Sequence, residues 1–410
     1  MAGERFVQFS SNKFINTNMS IHPYGSSLSH LSVEDKQDVE LAQLLLAAAE
    51  KVACHQFDRG LRLLDTCQWI SSSQGTPVQR TVFYFAEALQ ERIVKETGRS
   101  DKKQTYADAC VMRNILAFVA MHQELPFFQV LHFTAVQTIL ESVRTKSKVH
   151  VVDFQILTGV QWPGLMQAIA EQKMSCPGGY LKITSIEMSN SHESERTGEL
   201  LKSFARYLKL PFSYRVVHLS DIKDLREEDL EIDPGEEAVA VHFPFMLRTL
   251  ISKPACLKNL MGVMQKMKPC VMVVSEAEAN HNSPSFVSRF IEALFFYGAL
   301  FDSLEESMAR DDKNRTAIET GVFRTGIRNI VSTEGCERVT RSVSINVWRA
   351  FFTRFGMIEL ELSTASIYQA SLIVKHFSSG KSCTLDVGTK CLIVGWKGTP
   401  LFSLSAWKFH

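Results

Sequence analysis

Two stretches of this chain hold residues whose types and spacing could do chemistry. In the first, Asp153 ends the run Val149-His150-Val151-Val152, Gln155 follows it, and Glu187 closes a second apolar run downstream. An open α/β sheet binds its ligands beyond the carboxyl ends of its strands, so carboxylates placed there could hold the hydroxyl groups of a small molecule. The plainer reading of Glu187 is a solvated residue at a strand end. In the second stretch, Glu276-Ala277-Glu278-Ala279-Asn280-His281-Asn282, a histidine stands among carboxylates and could serve as a general base. The plainer reading there is a hydrogen-bonded loop, with Asn282 or Ser283 capping a helix that opens at Pro284. Asp153, Gln155, Glu187, Glu278, Asn280 and His281 together form the candidate pocket, at the mouth of a sheet.

The elements that must position them follow from the apolar pattern. Val149 to Phe154 reads as a strand buried on both faces, with His150 as a hydrogen-bonded core histidine. Gly159 then marks a short loop, and Trp162-Pro163 the start of a helix. Apolar runs at Leu181 to Ile186, Tyr214 to His218, Ala238 to Phe243 and Val271 to Val274 alternate with helical stretches, the rhythm of a parallel sheet. A long helix is expected between Pro284 and Leu304, with Phe286, Phe290, Leu294, Tyr297 and Phe301 on one side. Strands near Ser371 to Phe377, Cys391 to Trp396 and Leu404 to Phe409, joined by Gly and Ser turns, predict an antiparallel edge.

Ahead of the sheet, Ser32 with Asp35 predicts a capped helix start, and Leu41, Leu44, Leu45, Ala48 and Val52 recur at helical spacing. Thr76-Pro77 opens another helix, and two more are expected around Met112 to His122 and Val130 to Val143. The expected organisation is a flexible leader over 1–31, a helical cap over 32–147 and an α/β core over 148–410. That core is mostly parallel with antiparallel C-terminal strands, the outline of methyltransferase-type Rossmann folds.

Composition removes several function classes. With 45 basic and 44 acidic residues the net charge is +1, so nothing in the whole-chain charge draws the protein to nucleic acid. The nine cysteines show no C-x-x-C spacing and sit mostly in apolar runs, as reduced core thiols do, which argues for a cytosolic or nuclear compartment. No apolar run is long enough for a membrane span. An S-adenosylmethionine enzyme of this outline needs small residues after the first strand, where the backbone must approach the cofactor. The loop Phe154 to Gln161 holds Gly159 alone among branched residues, which argues against that cofactor. There is no G-x-S-x-G, no Walker loop and no His-Glu metal spacing, so no catalytic residue, metal or cofactor is assigned. Leu41, Leu44 and Leu45 fit the L-x-x-L-L pattern, yet the same leucines form the stripe that packs the helices.

The run Val149-His150-Val151-Val152-Asp153, followed by Gln161-Trp162-Pro163, resembles the VHIID motif of the plant GRAS family of transcriptional regulators. Leu44 to Val52 and Val78 to Leu89 are similar to its first leucine-rich region, and His132-Phe133-Thr134-Ala135 with Gln137 to the segment leading into VHIID. Glu276 to Asn282, Ala299 to Leu304, and Arg315 with Glu319 resemble its PFYRE region. In the SAW region, seven residues separate Trp348 from Gly356 and ten separate Trp396 from Trp407, within the closing Ser405-Ala406-Trp407. The likeness runs from about residue 38 to 410, in order, as one domain.

The resemblance implies a non-enzymatic nuclear co-regulator with no cofactor, able also to occupy the cytoplasm, that pairs with other GRAS proteins as a homo- or heterodimer or with DNA-binding transcription factors. It gives Trp348, Gly356, Trp396 and Trp407 structural roles. A small-molecule or S-adenosylmethionine-binding protein of the same fold is the alternative, and direct sequence-specific DNA binding the third reading. Three departures stand out. Val136 replaces an Asn, and Thr340, Ser342 and Val343 replace acidic and His positions, which removes the ion pair expected of Arg338. Neither the DELLA nor the TVHYNP motif is present, which disfavours a hormone-degradable repressor.

Overall fold

Ser32 opens the fold as its spacing predicts. Its hydroxyl accepts from the Asp35 amide at 3.0 Å while the Asp35 carboxylate accepts from the Ser32 amide, satisfying two helix-end donors at once. The computed structural model describes residues 31–98, 115–172, 179–188, 192–233, 235–388 and 390–410. The predicted leader and the start of the helix expected from Met112 lie outside them. Among the described residues the helices that come first are α1 (Val33–Ala53), α2 (Phe57–Ile70), α3 (Pro77–Thr97), α4 (Ile115–Glu124) and α5 (Pro126–Val143). Leu41, Leu45, Ala48 and Val52 are buried along α1, so the L-x-x-L-L leucines serve the core.

The α/β part runs β1 (Lys148–Asp153), α6 (Trp162–Gln172), β2 (Tyr180–Glu187), α7 (Glu193–Tyr207), β3 (Phe212–His218), β4 (Ala238–Pro244), α8 (Pro254–Met267) and β5 (Val271–Ala277). After it come α9 (Phe286–Ser307), α10 (Lys313–Ala317), a π-helical turn over Ile318–Phe323, α11 (Arg324–Val331), α12 (Ile345–Arg354), β6 (Met357–Leu360), α13 (Thr364–His376), β7 (Cys383–Val387), β8 (Leu392–Trp396) and β9 (Thr399–Phe409). The sheet order is β3-β2-β1-β4-β5-β9-β8-β7, with β6 paired to β9 off that path. β1 to β5 pair in parallel, and β9 joins antiparallel to β5, with Met272 opposite Trp407 and Ala277 opposite Phe402.

The alternation along β1 divides its side chains between two cores. Val149 and Val151 join the apolar cluster under α1 to α6 and α9, while Val152 and Phe154 join the cluster under α8 and α12. The sheet is therefore covered on both faces, as a parallel sheet must be.

Two sequence expectations are corrected. Ser371 to Phe377 is not a strand but the end of α13, which starts where the Ser363 hydroxyl accepts from the Ser366 amide at 3.0 Å. Ala370 and Val374, one helical turn apart, are its buried positions, and an apolar run this short carries too few residues to separate the two periods. The long helix α9 is capped by Ser285, whose hydroxyl accepts from the Ser288 amide, rather than by Asn282 or Ser283.

The expected boundary near residue 147 divides the sequence, but the packing layer crosses it: α3 lies against α9 and α11. Arg80 of α3 is 1% exposed, lies 2.8 Å from Glu305 and 3.2 Å from Glu319, and donates to the Phe301 carbonyl. Arg324 and Arg328 of α11 pair with Glu87 and Glu91 on the same helix. Arg80→Met is expected to lower stability by about 2–4 kcal/mol, because it removes a buried partner of Glu305 and leaves the buried Glu319 to Arg315 alone. Urea unfolding measures this, and a loss below about 1 kcal/mol would show that apolar packing alone holds the layer to the core.

Candidate functional site

Asp153 sits wholly buried at the carboxyl end of β1, and its carboxylate is taken up by the chain itself. Oδ1 accepts from the Gln155 amide at 2.9 Å. Oδ2 accepts from Trp162 Nε1 at 2.8 Å and Gln161 Nε2 at 3.1 Å, with His242 Nδ1 at 3.4 Å. Gln161, Trp162 and Pro163 begin α6, so this part of the motif shapes the loop around the aspartate. His242 comes from β4 opposite Asp153 and was not singled out in the sequence; its signal was a lone ionisable residue inside the apolar run Ala238 to Phe243.

The loop between β1 and α6 is packed shut. Ile156 is buried, and Leu157 and Gly159 both adopt positive φ, at 47° and 65°. A Cβ at Gly159 would meet Thr197 Cγ2 at 2.7 Å, while the Thr197 hydroxyl donates to the Leu157 carbonyl. This glycine lets the loop lie against α7.

Glu187 is buried, not solvated, and accepts from the Ser194 hydroxyl at 2.5 Å at the start of α7. His150 is a core histidine with Nδ1 3.1 Å from Glu237 and Nε2 2.8 Å from Thr184. Beyond β5, Glu278 accepts from the Ile345 amide at 2.9 Å and thereby caps α12. His281 is buried edge-on to Phe296, and burial with the charges of Arg248 and Arg338 pushes its pKa down to about 3. Asn280 is exposed. The six candidate residues thus fall into two groups, Asp153, Gln155 and Glu187 beyond β1 and β2, and Glu278, Asn280 and His281 beyond β5, with β4 between them. On the opposite rim, a polar hollow of about 620 Å³ is lined by Lys148, Tyr180, Lys182, Ser213 and three carboxylates.

The four SAW residues are placed as follows. Trp407 is buried with Nε1 donating to Ser405 and its ring 4.8 Å from Phe352, which also stacks on Trp348. Trp396 donates to Asp302 at 2.6 Å and meets Phe127 edge-on. Gly356 turns the chain from α12 into β6 at φ 74°. Among the described residues Arg338 makes no ion pair; its Nη1 donates to the His281 carbonyl at 3.3 Å.

A mostly parallel sheet finished by antiparallel strands, with its mouth filled from within, defines a Rossmann-like scaffold. Comparison with known proteins gives the family: the chain belongs to the GRAS domain family, whose profile matches residues 41–408. It is 33% identical over 376 residues, 90% of its length, to DELLA protein GAIP of Cucurbita maxima, and 33% identical over 390 residues, 94% of its length, to DELLA protein RGA of Arabidopsis thaliana. It spans 62% and 65% of the length of those two relatives. The crystal structure of SCL7 from Oryza sativa superposes with a TM-score of 0.78 at 27% identity, over 90% of this chain and 99% of that one.

Asp153→Asn places an amide among donors and is expected to cost about 2–4 kcal/mol in urea unfolding, whereas a loss under about 0.5 kcal/mol would mean the carboxylate is dispensable to the mouth. Glu276, fully buried with one oxygen accepting from the Arg248 amide, has its pKa raised to about 7 by burial, against the pull of Arg248. The folded state therefore holds this proton more tightly, so the stabilising contribution is complete below about pH 4.5 and is lost as pH rises toward about 7. Melting across that range should show a falling stability of about 2–3 kcal/mol in the wild type and a flatter profile in Glu276→Gln; equal slopes would refute the assignment.

Proposed function

We propose that this protein is a nuclear transcriptional co-regulator that acts by binding other proteins, family members and DNA-binding transcription factors, and performs no chemistry at the sheet mouth. The observation that carries this reading is the saturation of Asp153 by four donors of its own chain, beside a loop packed against α7. A ribose or substrate would have to displace those donors. Family membership supports a regulatory role, and because the chain spans less than two thirds of its first relatives, their activity and partners are carried over here as part of the proposal. The balanced charge supports indirect attachment to DNA, since sequence-independent affinity rests on excess basic charge. No helix among the described residues is long and apolar enough to cross a membrane.

The test has two arms. Tagged full-length chain should co-purify from plant nuclei with a transcription factor that then binds the purified chain directly, and should hold target DNA only when that factor is present. Titration calorimetry of the same protein with S-adenosylmethionine and S-adenosylhomocysteine should give no heat at millimolar ligand. Saturable heat would transfer the proposal to the ligand-binding alternative, and specific, salt-sensitive DNA binding by the chain alone would transfer it to direct DNA recognition.

A further inference from the structure

Beyond the carboxyl end of β5, the loop from His281 to Pro284 is held by three arginines, Arg289 of α9 and, from the segment before α12, Arg338 and Arg341. Arg338 Nη1 donates to the His281 carbonyl, Arg341 Nη1 to Asn282 Oδ1 at 3.2 Å, and Arg289 Nη1 to the Ser283 and Pro284 carbonyls at 2.9 and 3.2 Å. Each keeps a buried Nε–H with no acceptor. Arg289 is 1% and Arg338 4% exposed. Nearby carboxylates do not balance them: Arg289 and Arg92 share Glu334, Arg92 also takes Glu96, and neither Arg338 nor Arg341 has an ion pair among the described residues.

A buried guanidinium N–H without an acceptor is costly, and one such group in a native fold calls for an explanation. Three around one loop call for a shared one. Burial, and then the like charges of Arg289, Arg341 and Arg92, push the pKa of Arg338 down to about 10 against the pull of Glu334. The turn that covers the cluster, Glu334 to Glu337, is exposed, and Glu334 reaches into it from solvent.

We infer that the Arg289, Arg338 and Arg341 cluster is a binding site for a small tetrahedral oxyanion of the phosphate class. Such an ion presents acceptor oxygens in several directions at once, as donors fanned around a loop require, whereas the two oxygens of a single carboxylate lie in one plane. The enclosure favours an ion or small phosphomonoester over the backbone of a nucleic acid, since the unpartnered Nε atoms are out of contact with solvent. The site is distinct from the Asp153 mouth and independent of the regulatory reading above.

Thermal unfolding of the full-length protein tests this, in inorganic phosphate, in O-phosphoserine and in chloride at matched ionic strength. Saturating phosphate should raise the wild-type Tm by about 3 °C over chloride. Arg338→Met, which removes the buried charge while keeping the bulk of the side chain, should melt no lower than the wild type in chloride and show no phosphate response. If Arg338→Met fails to fold, Arg341→Gln at the half-buried rim replaces it, with the response expected to fall at least threefold. Arg354→Gln, on an exposed surface, should keep the full response. An effect of phosphoserine equal to that of phosphate identifies a site open to phosphomonoesters, and an effect of phosphate alone identifies one for the free ion; either supports the site. A wild type indifferent to both, or a response unchanged in the cluster variants, overturns it.

Discussion

The mouth of this sheet depends on how one carboxylate is satisfied. Asp153 is fully buried, and a carboxylate taken out of water costs several kcal/mol unless donors surround it. Its donors come from the following loop, from the first turn of α6 and from β4, so the same oxygen atoms fasten three elements at the point where the strand order reverses. In a cofactor-binding relative of this architecture the loop after the first strand stays open and glycine-rich. Here it is closed by its own side chains, and Gly159 is needed because a side chain there would strike α7.

The second constraint is the long last strand. β9 pairs with β5 along one edge and with β8 and then β6 along the other, which places the end of the chain inside the sheet. Trp396 and Trp407 are consequently buried, one against Phe127 and Asp302, the other against Phe352. With the sheet covered on both faces and its last strand internal, the accessible surface is made by the helical layer, the loops and the edge strands β3 and β7. That layer is one body with the core, since α3 is tied to α9, α10 and the π turn through Arg80, Glu305, Arg315 and Glu319, and to α11 through the pairs of Arg324 and Arg328 with Glu87 and Glu91.

Much of this was legible in the chain and some was not, for definable reasons. The parallel strands and the caps at Ser32 and Thr76 were readable because each depends on residues close in sequence. α13 was misread because its apolar run is too short to reveal a period. The role of Glu187 was missed because its partner Ser194 stands on the next element, α7, and that of His242 because pairing of β1 with β4 is a long-range fact. Asp153 and Glu187 end their strands and the other candidates lie just beyond β1 and β5, but sequence could not say that the carboxylates would already be engaged. The arginines were least visible of all: Arg92, Arg289 and the neighbouring pair Arg338 and Arg341 come from three distant segments that meet only through tertiary packing.

Two sets of buried arginines show how differently one fold can treat the same side chain. On the helical layer, Arg80 and Arg315 are matched by Glu305 and Glu319, and the charges serve to lock helices whose apolar stripes already meet. Beyond β5, the arginines meet backbone carbonyls and an amide oxygen, which satisfy their hydrogen atoms in part but do not offset their charge. Carbonyl dipoles orient a guanidinium; only an anion neutralises it. Acidic residues are not short overall, since acidic and basic totals differ by one. The imbalance is therefore local, and it lies at the end of the sheet where an open α/β architecture is least constrained by packing and most able to accept something from outside.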